Sequence, residues 1–196
     1  DMRFFTSDTH FNSQSTLEMD QRPFSSTKQF DKYVLKLWNK QTKKDDVIYH
    51  LGDWGSCSKN QMHGWEQAYP YVKKLKSKVI LVMGNNEERI VKFFFSNNFD
   101  DFRNYCKNLG FLDVIKNGEI EVAGKKFFMT HKPKDCKPEM LNLFGHMHRT
   151  GGIYKSFGFS MCCDLNHFYL QDENAIANFL DMKEKYWDID ENLKIK

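Results

Sequence analysis

Leu141-Asn142-Leu143-Phe144-Gly145-His146-Met147-His148 is a short apolar run that halts at a glycine and is followed by two imidazoles one residue apart. A run of that length with such bounds reads as a buried strand, so His146 and His148 stand at its C-terminal end. The same arrangement recurs along the chain. Asp8 and His10 follow Met2 to Thr6, Asp53 follows Val47 to Leu51, Asn85 follows Val79 to Met83, and His131 follows Phe127 to Thr130. Groups able to ligate metal therefore collect at strand ends, where α/β sheets bind their ligands.

The intervening segments supply the other elements. Phe30, Tyr33, Val34, Leu37 and Trp38 recur at helical spacing behind a cap at Ser25 or Ser26, which predicts an amphipathic helix. Asn12 to Pro23 holds no period and reads as loop, with Asp8 and His10 two apart on one side of extended chain. Helices are expected over Gln61 to Ala68, limited by Pro70, over Glu87 to Phe95, and over Asp100 to Asn108 with Gly110 as cap. From Phe111 the alternation gives way to successive strands. Phe111 to Ile115 and Ile120 to Val122 flank Asn117-Gly118, a hairpin signal, and Gly158 to Cys163 follows later. Ile176, Phe179, Leu180 and Trp187 mark a C-terminal amphipathic helix. The pattern is an α/β sandwich with its ligands along one sheet edge.

At 196 residues and 40% hydrophobic content, one domain over residues 2–196 is expected. A net charge of +3 with 28% charged residues describes a mixed surface, compatible with a phosphate-bearing small molecule. A long nucleic-acid groove would want more positive charge. Five cysteines without a C-x-x-C pair indicate neither a disulfide framework nor a thiolate zinc site. No apolar run approaches the ~20 residues of a membrane helix, and Arg3 to Asp8 is too polar for a leader. A cytoplasmic protein with no membrane role, starting naturally at Met2, is expected.

The ligand series holds two carboxylates, one amide oxygen and four imidazoles. That mixture suits borderline transition ions (Mn, Fe, Zn or Co) better than Mg or Ca, which prefer oxygen shells. The ordered blocks Asp8-x-His10, Gly52-Asp53, Gly84-Asn85, His131 and Gly145-His146-x-His148 resemble those of the calcineurin-like metallophosphoesterase superfamily. Phe4 to Phe11, Arg22-Pro23-Phe24 and Tyr49 to Trp54 are similar to small microbial and phage members. The resemblance spans Arg3 to about Asn166.

It implies a four-layer αββα sandwich of mixed sheets and two divalent ions, with Mn favoured. Asp8, His10, Asp53 and His148 would hold one ion; Asp53, Asn85, His131 and His146 would hold the other, with Asp53 shared. It also implies a phosphoesterase, a phosphodiesterase before a monoesterase, in which a metal-bridging hydroxide attacks a small or nucleotide-type ester. A non-catalytic metal-binding scaffold and a nuclease are the alternatives. One departure stands out. Asn86 occupies the position where family members often carry a histidine, and it can donate a hydrogen bond but not a proton.

His50, His63 and His167 are the remaining histidines. His50 is open between a packed strand residue and a catalytic one. Arg22 is open between bidentate phosphate capture and ordering of its own loop. Trp54, Phe24 and Tyr154 are available for base stacking. The oligomeric state is left open.

Overall fold

The computed structural model describes residues 1–58 and 64–186; His63 and Trp187 lie outside them. One sheet runs β10-β1-β2-β3-β4. Its strands β1 (Arg3–Thr6), β2 (Val47–His50), β3 (Lys78–Val82) and β4 (Asp113–Ile115) are parallel, and β10 (Gln171–Asp172) is antiparallel to β1. The other sheet is built from β5 (Gly118–Val122), β6 (Lys125–Met129), β7 (Leu141–Phe144), β8 (Ile153–Tyr154) and β9 (Gly158–Ser160), in the order β5-β6-β7-β9-β8. Its middle strands β6, β7 and β9 are parallel and its outer pairs antiparallel. The chain is thus a mixed α/β protein with two mixed sheets. Its helices are α1 (Gln14–Met19), α2 (Thr27–Gln41), α3 (Trp65–Ala68), α4 (Asn85–Phe94), α5 (Phe99–Leu109) and α6 (Glu173–Tyr186).

The alternation of side chains across a strand divides the core in two. Phe4, Ile48, Val79 and Leu81 face a cluster with Phe30, Val34 and Trp38 of α2, Ile90 of α4 and Phe102 of α5. Their neighbours Phe5 and Val82, with Leu51 just past β2, join a second cluster with Phe127, Met129, Leu143 and, from α6, Ile176 and Leu180. The sheets also meet at their C-terminal edges. Ser7, just past β1, bridges Cys162 in parallel fashion, and the Cys163 N–H donates to the Ser7 carbonyl at 3.1 Å.

Three expectations need correction. Asn117-Gly118 does not close a hairpin: β4 pairs with β3 in one sheet, and β5 pairs with β6 in the other. The hairpin turn is Ala123-Gly124, both residues with left-handed φ (52° and 73°) as a tight two-residue turn requires. Within Asn12 to Pro23, α1 forms behind a Ser13 cap whose hydroxyl accepts from the Thr16 N–H; six residues are too few for a period to show. Asp8 and His10 are not extended, since both have left-handed φ (58° and 45°).

Buried Asp31 of α2 holds the turn after His10, its two carboxylate oxygens accepting from the Asn12 N–H at 3.2 and 3.1 Å. Burial pushes this carboxyl up to about 6, against the hydrogen bond from Asn12. The unfolded chain loses the same proton near pH ~4, so the folded state holds the proton more tightly across that window. Stability from this group is therefore full below pH ~4 and is lost as pH rises to about 6. Urea unfolding from pH 4 to 7 should show that decline, and Asp31→Asn should flatten it; an equal slope in the variant would contradict the assignment.

Candidate metal centre

Because β1, β2 and β3 are parallel, as are β6 and β7, their C-terminal ends open on common edges. The loops leaving them bring Asp8, His10, Asp53, Asn85, His131, His146 and His148 together. Asp53 Oδ2 lies 3.5 Å from both His10 Nε2 and His131 Nε2. Asp8 Oδ1 lies 3.9 Å from the same two nitrogens and 3.8 Å from His148 Nε2. Asn85 Oδ1 sits 2.9 Å from His131 Nε2 and 2.9 Å from His146 Nδ1. The carboxylate-to-imidazole gaps exceed a hydrogen bond. They are comparable to the spacing of two atoms that share one ion at ~2.0–2.2 Å each.

The backbone is bent to achieve this. Asp8, His10, Asp53, His146 and His148 all have left-handed φ, between 45° and 72°. For residues with a Cβ that conformation costs ~1–2 kcal/mol each, and it collects at functional sites held in place by their surroundings. Two glycines give the space. A Cβ on Gly145 would come within 2.5 Å of Asp8 Oδ2 and Ser7 Oγ, and one on Gly84 within 2.5 Å of the Asp53 nitrogen. The first contact is where the two sheets join, since the His146 N–H donates to Asp8 Oδ2 at 2.9 Å.

Three imidazoles are oriented from behind. His131 Nδ1 donates to the Leu51 carbonyl at 2.7 Å, His148 Nδ1 donates to Asp20 Oδ2 at 2.6 Å, and His10 Nδ1 lies 2.7 Å from Ser56 Oγ. Each ring therefore turns its Nε2 toward the carboxylates, the aim that a metal-ligating histidine needs. Asp20 and Ser56 carried no sequence signal. They are distant in sequence from their partners, and only the fold reveals them.

Glu87 crosses between the loops. Its carboxylate accepts from the N–H groups of Asp53 (2.8 Å), Trp54 (3.0 Å) and Gly84 (2.8 Å), and from the Tyr69 hydroxyl. The helix expected from Glu87 begins two residues earlier, with α4 starting at Asn85. Burial, then the charge of Asp53, push the Glu87 carboxyl up to about 7, against the Tyr69 hydrogen bond.

The other named residues face elsewhere. Arg22 is buried, with Nε and Nη2 on the Asp164 carboxylate (2.9 and 2.8 Å), Nη1 on the Thr9 carbonyl (2.7 Å) and Nη2 on the Asp8 carbonyl (2.8 Å). Its fork is occupied within the protein, which favours loop ordering over phosphate capture. His50 is buried with Nε2 2.9 Å from Thr9 Oγ1 and its ring against Trp54, and burial pushes it down to about 3. Trp54 has no exposed surface and donates its indole N–H to the Ala68 carbonyl, so it does not offer a stacking face. Phe24 packs on Phe30 and Phe168, and Tyr154 on Phe144. His167 is exposed. Asn86 is at the centre: its N–H donates to Asp53 Oδ1 and its side-chain oxygen accepts from the Cys57 N–H, both at 2.9 Å.

The electrostatics fit a cation. Burial raises the Asp8 carboxyl, opposed by His131 and compounded by Asp53. Burial also acts to raise Asp53, but the close His131 imidazole and the His131 and His10 charges hold it well below the usual carboxylate range. His131 is pushed up to about 10, its Asp53 and Asp8 contacts outweighing burial, whereas burial takes His10 down to about 4. Asp8 Oδ1 and His10 Nε2 are buried without a hydrogen-bond partner. Such atoms are costly unless something compensates them. A divalent ion facing carboxylate oxygen and imidazole nitrogen together is a chemically suitable partner, and Asp8, His10 and His148, like Asp8, Asp53 and His131, could each converge on one.

The family model for calcineurin-like phosphoesterases matches residues 4–174. Uncharacterized protein MJ1445 of Methanocaldococcus jannaschii is 31% identical over 90 residues, covering 46% of this chain and 49% of that protein. The match thus spans about half the length of that curated relative. The crystal structure of AQ665, a protein of unknown function from Aquifex aeolicus, superposes with a TM-score of 0.65 over 91% of this chain and 98% of that one, at 21% identity. The phosphopantetheinyl hydrolase PptH from Mycobacterium tuberculosis gives a TM-score of 0.33 at 17% identity, over 67% of this chain and 42% of that one.

Two substitutions test the supports of the site. Asp20→Asn should weaken Mn binding ~10–100-fold by calorimetry, the usual consequence of losing the group that orients a ligating histidine; an unchanged affinity would show that His148 does not depend on Asp20. Arg22→Ala should cost ~3–5 kcal/mol in urea unfolding, because it strands the buried Asp164 carboxylate.

Proposed function

The chain belongs to the calcineurin-like phosphoesterase family, and its buried Asp and His groups fit a metal-dependent phosphoesterase; on that premise we propose that it binds two divalent transition ions and hydrolyses a small, nucleotide-type phosphodiester. The observation that carries this reading is the position of Asp53 Oδ2, 3.5 Å from imidazole nitrogens on both sides. Asp8, His10, Asp53 and His148 would hold one ion, and Asp53, Asn85, His131 and His146 the other, with Mn favoured. Such ions neutralise phosphoryl oxygens and lower the pKa of water to ~7, so that it attacks near neutral pH.

The protein's own part is to hold and orient. Asp53 is fixed through Oδ1 by the Asn86 N–H, leaving Oδ2 for the site. Asp8 is fixed through Oδ2 by the Ser7 hydroxyl and the His146 N–H, leaving Oδ1. Asn86 keeps only amide N–H donors after its oxygen accepts from Cys57; it can hydrogen-bond an ester oxygen but cannot protonate a leaving group. Turnover should therefore favour alcohols that leave without a proton. A scaffold that binds metal without turnover is the second reading, favoured by this same residue. The five cysteines are free, which supports a reducing, cytoplasmic setting. Among the described residues no helix is long and apolar enough to cross a membrane.

With Mn added, the protein should hydrolyse bis(p-nitrophenyl) phosphate, and Asp53→Asn should lower kcat/KM by at least ~100-fold. Metal binding without hydrolysis under any of Mn, Fe, Zn or Co would select the scaffold. Asn86→His should raise rates selectively on alkyl leaving groups, within the ~10²–10⁴-fold range of general acid catalysis; an equal gain on nitrophenyl esters would contradict the assignment of Asn86.

A further inference from the structure

Beside the metal centre lies a cleft of about 430 Å³ between α4 and the segment after β6, with His131 in its wall. That volume lies within the range of small-molecule sites. We propose that this cleft binds the nucleoside arm of a phosphodiester whose phosphate rests on the metal centre; the inference deepens the function proposed above and rests on it.

The lining argues for a neutral, ring-bearing, hydrogen-bonding group. Lys116 and Lys132 are matched by Glu88 and Asp135 in the same walls, and Lys132 Nζ lies 2.8 Å from Glu88 Oε2. With His131 neutral as a metal ligand, two cations against two carboxylates leave no excess positive charge for a second phosphate. Half-buried Phe99 supplies aromatic surface, with the Lys116 ammonium 5.1 Å from its ring centroid, while Phe128 is a buried wall residue with the Lys137 ammonium 4.3 Å from its own ring centroid. Met83 and Val91 add apolar wall. Asn97 and Asn117 each bring an amide, a donor and an acceptor together. One aromatic ring, an apolar wall and two amides that each pair a donor with an acceptor match a heteroaromatic base better than an alkyl chain or a peptide. A monoester of a simple alcohol would leave this space unused.

The test uses the full chain loaded with Mn and two ligands that differ only in the base, thymidine 5′-monophosphate and 2-deoxyribose 5-phosphate. Calorimetry should find the nucleotide bound at least tenfold more tightly. Val91→Phe, which fills the cleft, and Asn117→Ala, an exposed position whose change spares the core, should each bring the ratio of affinities toward one. Equal binding of the two ligands by the wild type, or a ratio kept by both folded variants, would overturn the proposal.

A kinetic arm compares p-nitrophenyl thymidine 5′-phosphate with methyl p-nitrophenyl phosphate. In both, water oxygen bonds to phosphorus, the P–O bond to nitrophenyl breaks, nitrophenolate leaves with the electron pair, and the water proton passes to solvent. With chemistry held constant, the nucleoside ester should show a kcat/KM at least tenfold higher, chiefly through KM; equal values would count against the cleft. If neither ester is hydrolysed, the phosphoesterase reading fails, while the binding ratio still decides the cleft.

Discussion

Two carboxylates, Asp8 and Asp53, are buried side by side where the two sheets meet, and the rest of the molecule is arranged around that electrostatic problem. Ionised groups are rarely buried without a matching charge. Here the matching groups are imidazoles, of which His131 is drawn toward the protonated form and His10 is kept neutral by burial. The balance is incomplete, since Asp8 Oδ1 and His10 Nε2 have no hydrogen-bond partner. A divalent ion placed between Asp8, His10 and His148 would satisfy both at once.

Such a site needs rigid surroundings, and they are built in layers. Strand ends deliver the ligands, left-handed backbone turns them inward, and Glu87 ties the β2 and β3 loops together through three backbone N–H groups. On the opposite side Arg22 fastens the carbonyls of Asp8 and Thr9 to Asp164, beyond β9. The backbone energy spent at five ligand positions is offset by these tethers and by the two cores beneath them. Close approach at Gly145 and Gly84 lets the tethers be short.

The sequence announced the residues that end strands, because a strand of four or five apolar residues followed by a glycine or a polar group is a local pattern. Val79 to Val82 and Leu141 to Phe144 are both strands, and the ligands they predict fall together. What it concealed was non-local. The Asp20 contact to His148 spans 128 positions, and the Arg22 contact to Asp164 spans 142. Asn117-Gly118 looked like a hairpin because dipeptide turn preference carries no knowledge of which sheet each flanking strand joins. The true turn at Ala123-Gly124 was concealed because alanine seldom takes left-handed φ. The aromatic at Trp54 shows the same limit: exposure for stacking and burial in a core read alike from one residue.

That one pocket at the junction of two sheets holds a pair of ions through seven side chains is the proposal on which the function rests. Elemental analysis of purified, Mn-equilibrated protein tests it most directly, read beside a folded Asp8→Asn, Asp53→Asn double variant. Two equivalents per wild-type chain, lost in the variant while its circular dichroism is kept, is the result the account predicts. A folded wild type that retains no metal, or a double variant that retains as much as wild type, would contradict it.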